Sequence, residues 1–210
     1  MTDNRMSGLA LIAGSAGLIL TLSLHPSGPI SPAQVEQMVR KLIAVHSIGL
    51  FSLPFLFLGA LGLSRTLAAP NRLGVIALVF YGFAITAMLC GVVADGLVTP
   101  SILRQIVAGG PSAGDGWRTI MRYNGYLDMS FVQVGMVASA VAIAMWSLAI
   151  LRGTVLGRGV GVYGLILGVL AVAAVFSGFM GAEHAMSMVI LGQVSWFIVI
   201  GGLLWRTEIA

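Results

Sequence analysis

The sequence predicts an all-α integral membrane protein, a bundle of six transmembrane helices with short links and a short amphipathic helix at the outer surface. Of its 210 residues, 58% are hydrophobic and only 9% are charged, and the mean hydropathy is +1.01. A soluble domain carries about 25% charged residues. Because the apolar runs are continuous and lipid offers no partner to an unpaired backbone group, these runs predict helices.

Six apolar runs are long enough to cross a hydrocarbon layer about 30 Å thick, and they predict one membrane domain over residues 1–210. The predicted spans are 8–24, 42–64, 73–98, 129–151, 159–180 and 186–205. The first run is longer than the apolar region of a signal peptide, and no A-x-A cleavage motif follows it. We therefore expect it to remain in place as the first span.

The links carry their own signals. Ser31-Pro32-Ala33-Gln34 has the pattern of a capping box and predicts a helix that starts near Pro32 and continues into the second span. The third link, 99–128, contains the amphipathic stretch SILRQIVA (101–108) and then the glycine-rich stretch 109–116, which predicts a flexible segment. In the fifth span, Gly164-x-x-x-Gly168 predicts a close contact between helices.

Lysine and arginine set the expected orientation, because cytoplasmic links carry an excess of them. One side would carry Arg5, Arg65, Arg72, Arg152, Arg158 and Arg206. The other would carry Arg40, Lys41, Arg104, Arg118 and Arg122, of which three lie on the longest link, where the rule is weaker. We therefore expect a multi-pass protein of a bacterial inner (plasma) membrane with both termini in the cytoplasm.

Composition also narrows the classes of chemistry. The one cysteine, Cys90, lies inside a predicted span, so a disulfide framework or thiol redox chemistry is not expected. No long basic run indicates nucleic-acid binding. The predicted partners are the lipid bilayer and either a second copy of the chain or another membrane protein.

Ionisable residues gather at one predicted end of the bundle. His25 ends the first span, His46 lies one turn into the second, and His184 lies in the turn before the sixth. Asp95 follows 22 uncharged residues, about 33 Å of helix, which places it at the outer boundary. Because imidazole and carboxylate are ordinary zinc ligands, His46, Asp95 and His184, with His25, predict a site for zinc or another first-row metal.

Two further residues are candidates for catalysis beside that metal, Ser47 and Asp128, as nucleophile or base. The alternative is that these are ordinary helix-end residues, hydrogen-bonded to one another and to water. A substrate held between the helices could also meet neutral groups. The candidates are Tyr81, Thr86, Gln133, Ser139, Gln193 and Ser195.

Three functions therefore stay open. The first expectation is an accessory or scaffold membrane protein without chemistry of its own. The second is a metal-dependent membrane enzyme or metal-binding protein with its site at the outer face. The third is a carrier for a small or lipophilic molecule, which would need a cavity near mid-depth.

Overall fold

The computed structural model describes residues 3–26, 32–67, 72–153, 156–178 and 185–206. No strand occurs among them. A short 3-10 turn, Pro32–Gln34, precedes the second helix, and a π-helical turn, Ala94–Val98, joins the third helix to the fourth. The helices are α1 (Asp3–Leu24), α2 (Val35–Leu67), α3 (Leu73–Val93), α4 (Thr99–Ala108), α5 (Gly110–Arg152), α6 (Arg158–Phe176) and α7 (Ala185–Arg206).

Within the described ranges, six helical stretches are long and apolar enough to cross a membrane. They are Asp3–Leu24, Val35–Leu67, Leu73–Ala108, Asp115–Arg152, Arg158–Phe176 and Ala185–Arg206. The predicted all-α class and the six apolar helices are therefore confirmed. The predicted helix start near Pro32 is also confirmed, whereas Ser31, its predicted cap, lies outside the described residues.

The third link differs from the prediction of a short helix followed by a flexible segment. α3 continues through the π-helical turn into α4, and α5 begins at Gly110, directly after a turn at Gly109. The Gly109 N–H donates to the Gln105 carbonyl at 3.0 Å, and a proline in the first turn of α5 favours the start of a helix. Residues 101–108 are helical, in one continuous stretch with α3, and a short amphipathic helix at the outer surface stays a prediction.

The six long helices form a closed ring in the order α1, α2, α3, α5, α6, α7 and back to α1, and α4 packs against α5 and α2. α1 and α7 pack closely where α1 begins. A side chain on Gly8 would lie 2.9 Å from the backbone nitrogen of Trp205, and the Arg5 guanidinium lies 5.9 Å from the centre of the Trp205 ring. The beginning of α1 and the end of α7 therefore share one end of the bundle, called the inner end below.

An aromatic cluster fills the centre of the bundle on its inner side. Trp146 and Trp196 are fully buried and stack with ring centres 6.1 Å apart, and Tyr81 and Phe197 pack against them. The Trp146 Nε1–H donates to Ser64 Oγ at 3.0 Å. The Trp196 Nε1–H donates to the carbonyl of Val160 at 3.1 Å. Both indole N–H groups thus have an acceptor within the protein and need no hydrogen bond from water.

The predicted close contact at Gly164 and Gly168 is present between α6 and its neighbours. A side chain on Gly164 would overlap the Ser147 hydroxyl and the Trp196 indole. A side chain on Gly168 would lie 3.0 Å from the carbonyl oxygen of Ala140. These two glycines let α6 approach α5 closely enough to seal the inner half of the bundle.

Candidate metal centre

Three side chains from three helices meet at the outer end, opposite the aromatic cluster. His25 directly follows the last residue of α1, His46 lies about three turns into α2, and Asp95 lies in the π-helical turn after α3. Nε2 of His25 lies 3.0 Å from Asp95 Oδ2, and Nε2 of His46 lies 3.1 Å from the same oxygen. One ligand atom from each residue lies within 4.8 Å of the other two, which is close enough to share one ion.

The π-helical turn places Asp95. Pro100 has no N–H, and in a regular α-helix its ring would collide with the carbonyl of Gly96. The helix widens just before it, so that the N–H of Thr99 donates to the carbonyl of Ala94, five residues back. That carbonyl also accepts a hydrogen bond from the Asn124 amide at 3.0 Å. Single π turns of this kind are frequent at functional sites.

Gly96 allows α2 to come close to this turn. A side chain at position 96 would overlap His46, whose Cγ would lie 2.7 Å away. The His46 ring therefore lies directly against the backbone of the π-helical turn. A glycine here is a steric requirement for the contact between His46 and Asp95.

The second nitrogen of His46 is also engaged. Nδ1 lies 2.9 Å from the carbonyl oxygen of Leu42, and because a carbonyl only accepts, Nδ1 carries the proton. In a neutral imidazole, Nε2 then has a free lone pair, and this lone pair faces Asp95. A histidine that donates one N–H to a backbone carbonyl and directs its other nitrogen at a shared point has the arrangement of a metal ligand.

Exposure falls from His25 to His46. The side chain of His25 is 41% exposed, that of Asp95 is 25% exposed and that of His46 is 9% exposed. The two imidazole rings meet edge to face with centres 5.2 Å apart. An ion or a small ligand would therefore reach the cluster past His25 and be held against His46.

A cavity of about 150 Å³ begins at this cluster and continues between the helices. Its walls come from α1, α2, α3, α5 and α7, and most of the side chains that line it are apolar. The polar residues in its lining are Thr21, His25, His46, Tyr81, Asp95, Asp128, Ser139 and Gln193. The charged and imidazole groups are at the outer end, whereas Tyr81, Ser139 and Gln193 lie deeper.

Asp128 of α5 lies across the cavity mouth from α3. Its Oδ1 would be 3.2 Å from a side chain built on Gly91, so the carboxylate faces the helix that carries Asp95. Within the described part of the chain, its carboxylate makes no hydrogen bond. Among the described residues, Asp128 is thus an acceptor without a hydrogen-bond donor beside the three converging groups, which is what a proton acceptor requires.

The other predicted site residues are placed differently. The Ser47 hydroxyl donates to the carbonyl of Ile43 at 2.7 Å, and Ser47 is absent from the described cavity lining. His184 lies outside the described residues. Thr86, Gln133 and Ser195 are likewise not among the described residues that line the cavity.

Gly96 and Asn124 were missed by the sequence reasoning. Neither can bind a metal or transfer a proton in the way that histidine and aspartate can, so a search for chemical groups passes over them. The signal that could have found Gly96 is Pro100, which follows it by four residues inside an apolar helical run. No comparable signal marks Asn124.

Comparison with known proteins adds no assignment. No protein-family model, no curated protein and no solved structure matches this chain.

Proposed function

We propose that this protein is a metal-dependent membrane enzyme, or a metal-binding membrane protein, whose site lies at the outer end of the bundle. The observation that carries the proposal is the convergence of two imidazole nitrogens and one carboxylate oxygen within 4.8 Å. Three protein ligands of these types leave one position of a tetrahedral ion open, which is the pattern of catalytic zinc sites. The open position would face the cavity.

The arrangement of hydrogen bonds leaves a place for a cation. With its proton on Nδ1, neutral His46 turns a lone pair toward Asp95 Oδ2, and two lone pairs 3.1 Å apart repel. A second proton on His46, which would then donate from Nε2 to Asp95, removes this repulsion, and so does a divalent ion between the three atoms. Zinc or another first-row metal fits the ligand set.

The surrounding residues support a chemical role. When bound, the ion would supply Lewis acidity to an oxygen that enters from the cavity. Asp128 would accept a proton from the reacting group, since its carboxylate is partly buried and makes no other hydrogen bond among the described residues. The packed aromatic cluster would keep water from reaching the site from the inner side.

Elemental analysis of tag-free protein dialysed against micromolar zinc would test this proposal, with His46→Ala and Asp95→Asn beside the wild type. We expect about one equivalent in the wild type and none in either variant. Glu36→Gln is the control, because Glu36 is exposed and pairs with Arg104 rather than with the cluster. Equal metal content in all four samples, or none in the wild type, would refute the proposal.

We also propose the predicted orientation, a bacterial inner membrane protein with both termini in the cytoplasm. An even number of crossings returns the chain to its starting side, in agreement with the contact between Gly8 and Trp205. The candidate site would then face the periplasm. Labelling of a single cysteine placed at position 23 or at position 206, in intact cells with a membrane-impermeant reagent, would test the orientation.

A carrier for a small lipophilic molecule is the second candidate, because the cavity extends to Tyr81 and Gln193 at mid-depth. A carrier must also open at the inner end, where Trp146 and Trp196 are fully buried. Uptake of a lipophilic dye into vesicles that depends on the protein would support this candidate. An accessory or scaffold role stays a prediction, and it requires that His46→Ala leaves the cellular function unchanged.

A further inference from the structure

We propose that the cavity binds the hydrocarbon chain of a single-chain carboxylic acid or ester, with its carbonyl end at the His25–His46–Asp95 cluster. This inference deepens the proposed function and rests on it, since the head group is held by the ion. The observation that supports this inference is the distribution of polar and apolar side chains along the cavity. Ionisable groups line one end only, and apolar side chains from five helices line the remainder.

The length and volume of the cavity allow only one hydrocarbon chain. The lining of α7 runs from Met186 to Phe197, which is about 16 Å along the helix. A volume of 150 Å³, which in compact form holds one benzene ring of six carbons, is here spread over that length. It leaves no room for two chains side by side, so the cavity admits at most one hydrocarbon chain and excludes a two-chain lipid. Because volume rather than length sets the limit, roughly 6 carbons fill the space.

The head group follows from charge. A divalent ion on two neutral imidazoles and one carboxylate leaves a net charge of about +1 at the cluster, and an ionised Asp128 across the cavity mouth would offset it. The open position of the ion itself favours an oxygen donor, as in a carboxylate, whose charge meets the ion directly, or an ester carbonyl. A cationic head group would meet the ion directly and is not expected.

The deep end closes on the aromatic cluster. Tyr81 and Phe197 belong both to the cavity lining and to the packed centre, where their rings lie 5.2 Å apart. A bound chain could therefore not extend past these rings, and the volume of the cavity limits its length.

The test is equilibrium dialysis of zinc-loaded protein in detergent with radiolabelled straight-chain carboxylates of 2 to 12 carbons. We expect affinity, expressed on free ligand, to rise about fourfold per methylene, which corresponds to about 0.8 kcal/mol, and to stop rising near 6 carbons. In Val132→Phe, whose ring fills the cavity about one turn below Asp128, the affinity should stop rising about three carbons earlier. Val134→Phe is the matched control, since Val134 is 57% exposed on the same helix.

The outcomes separate this inference from the proposed function. If affinity depends on carbon number in the same way in Val132→Phe and Val134→Phe, the cavity does not bind the hydrocarbon chain, even if one equivalent of zinc is bound. Affinities unchanged by full removal of zinc would overturn the assignment of the head group to the ion. A wild type that binds no zinc in the elemental analysis would refute the proposed function itself. Melting curves confirm that both valine variants are folded.

Discussion

The outer and inner ends of the bundle use buried polar groups in opposite ways. At the inner side, the Trp146 and Trp196 donors each have one neutral acceptor and the rings around them are packed. At the outer end, His25 and His46 both approach one oxygen of Asp95, and a cavity opens beside them. Donors paired with neutral acceptors inside dense packing indicate a structural role, whereas converging groups beside a cavity indicate a ligand.

Removal of a packed ring should give the largest loss of stability. We expect Trp146→Ala to lower the free energy of unfolding by about 3–5 kcal/mol, because it leaves a large void and orphans the Ser64 hydroxyl. Thermal melting in detergent measures this. Trp205→Ala, at a ring that is 40% exposed, should cost far less. Similar losses in both variants would mean that burial of a ring in the aromatic cluster does not set its contribution to stability.

Asp95→Asn should have the next largest effect, and mainly when metal is present. At a zinc concentration 100 times its Kd, the wild type gains about 2.7 kcal/mol of stability from binding, and the variant should gain none. The measurement is the shift in melting temperature on adding zinc after chelation. Asp115→Asn, an exposed carboxylate on α5, should behave as the wild type. A zinc shift that survives in Asp95→Asn would remove Asp95 from the ligand set.

Gly96→Ala tests whether the close contact between His46 and the π-helical turn is needed for zinc binding, since it leaves the ligand residues themselves unchanged. The added methyl group overlaps His46, so we expect a loss of about 1–3 kcal/mol and reduced zinc content. Gly82→Ala on α3 meets nothing within 4 Å and should stabilise by about 0.5–1 kcal/mol, as alanine does in a helix. Melting curves with metal analysis report both. An unchanged metal content in Gly96→Ala would show that the contact between His46 and the π-helical turn is dispensable.

Glu36→Gln should have the smallest effect. Glu36 forms a bidentate pair with Arg104, at 3.1 and 3.3 Å, but both side chains are exposed to solvent. Exposed pairs of this kind contribute little and are screened by salt. We expect no resolvable change in melting temperature at physiological ionic strength. A clear loss that persists at high salt would indicate that this pair is shielded, for example by a partner protein.

The six helices were predictable because each is a long apolar run, and the direction of Asp95 was indicated by the small residues Ala84, Ala87 and Gly91 on its face. The third link was not predictable in the same way. Local glycine content indicates a flexible segment at 109–116, but the chain continues as helix from Gly110. Local propensity is a weak prior when tertiary packing can extend a helix.

The convergence on a single oxygen was equally beyond the sequence. It depends on the local geometry of the π-helical turn Ala94–Val98, in which Asp95 lies. It also depends on the absence of a side chain at Gly96, which admits the His46 ring. Their positions in the sequence predict that these residues lie at the same end of the bundle. They do not predict the distances between their side chains.

The closed ring of helices has a consequence for biosynthesis. All three converging residues lie within the first 95 positions, but α7, which closes the ring against α1, begins only at Ala185. At about 5–20 residues per second, a ribosome adds that helix roughly 5–20 s after Asp95. During this interval the three residues of the cluster are present while α7, and at first also α5, is missing from the walls of the cavity. The nascent bundle would thus be open sideways to lipid, and the last helix to be inserted turns an open cleft into an enclosed one.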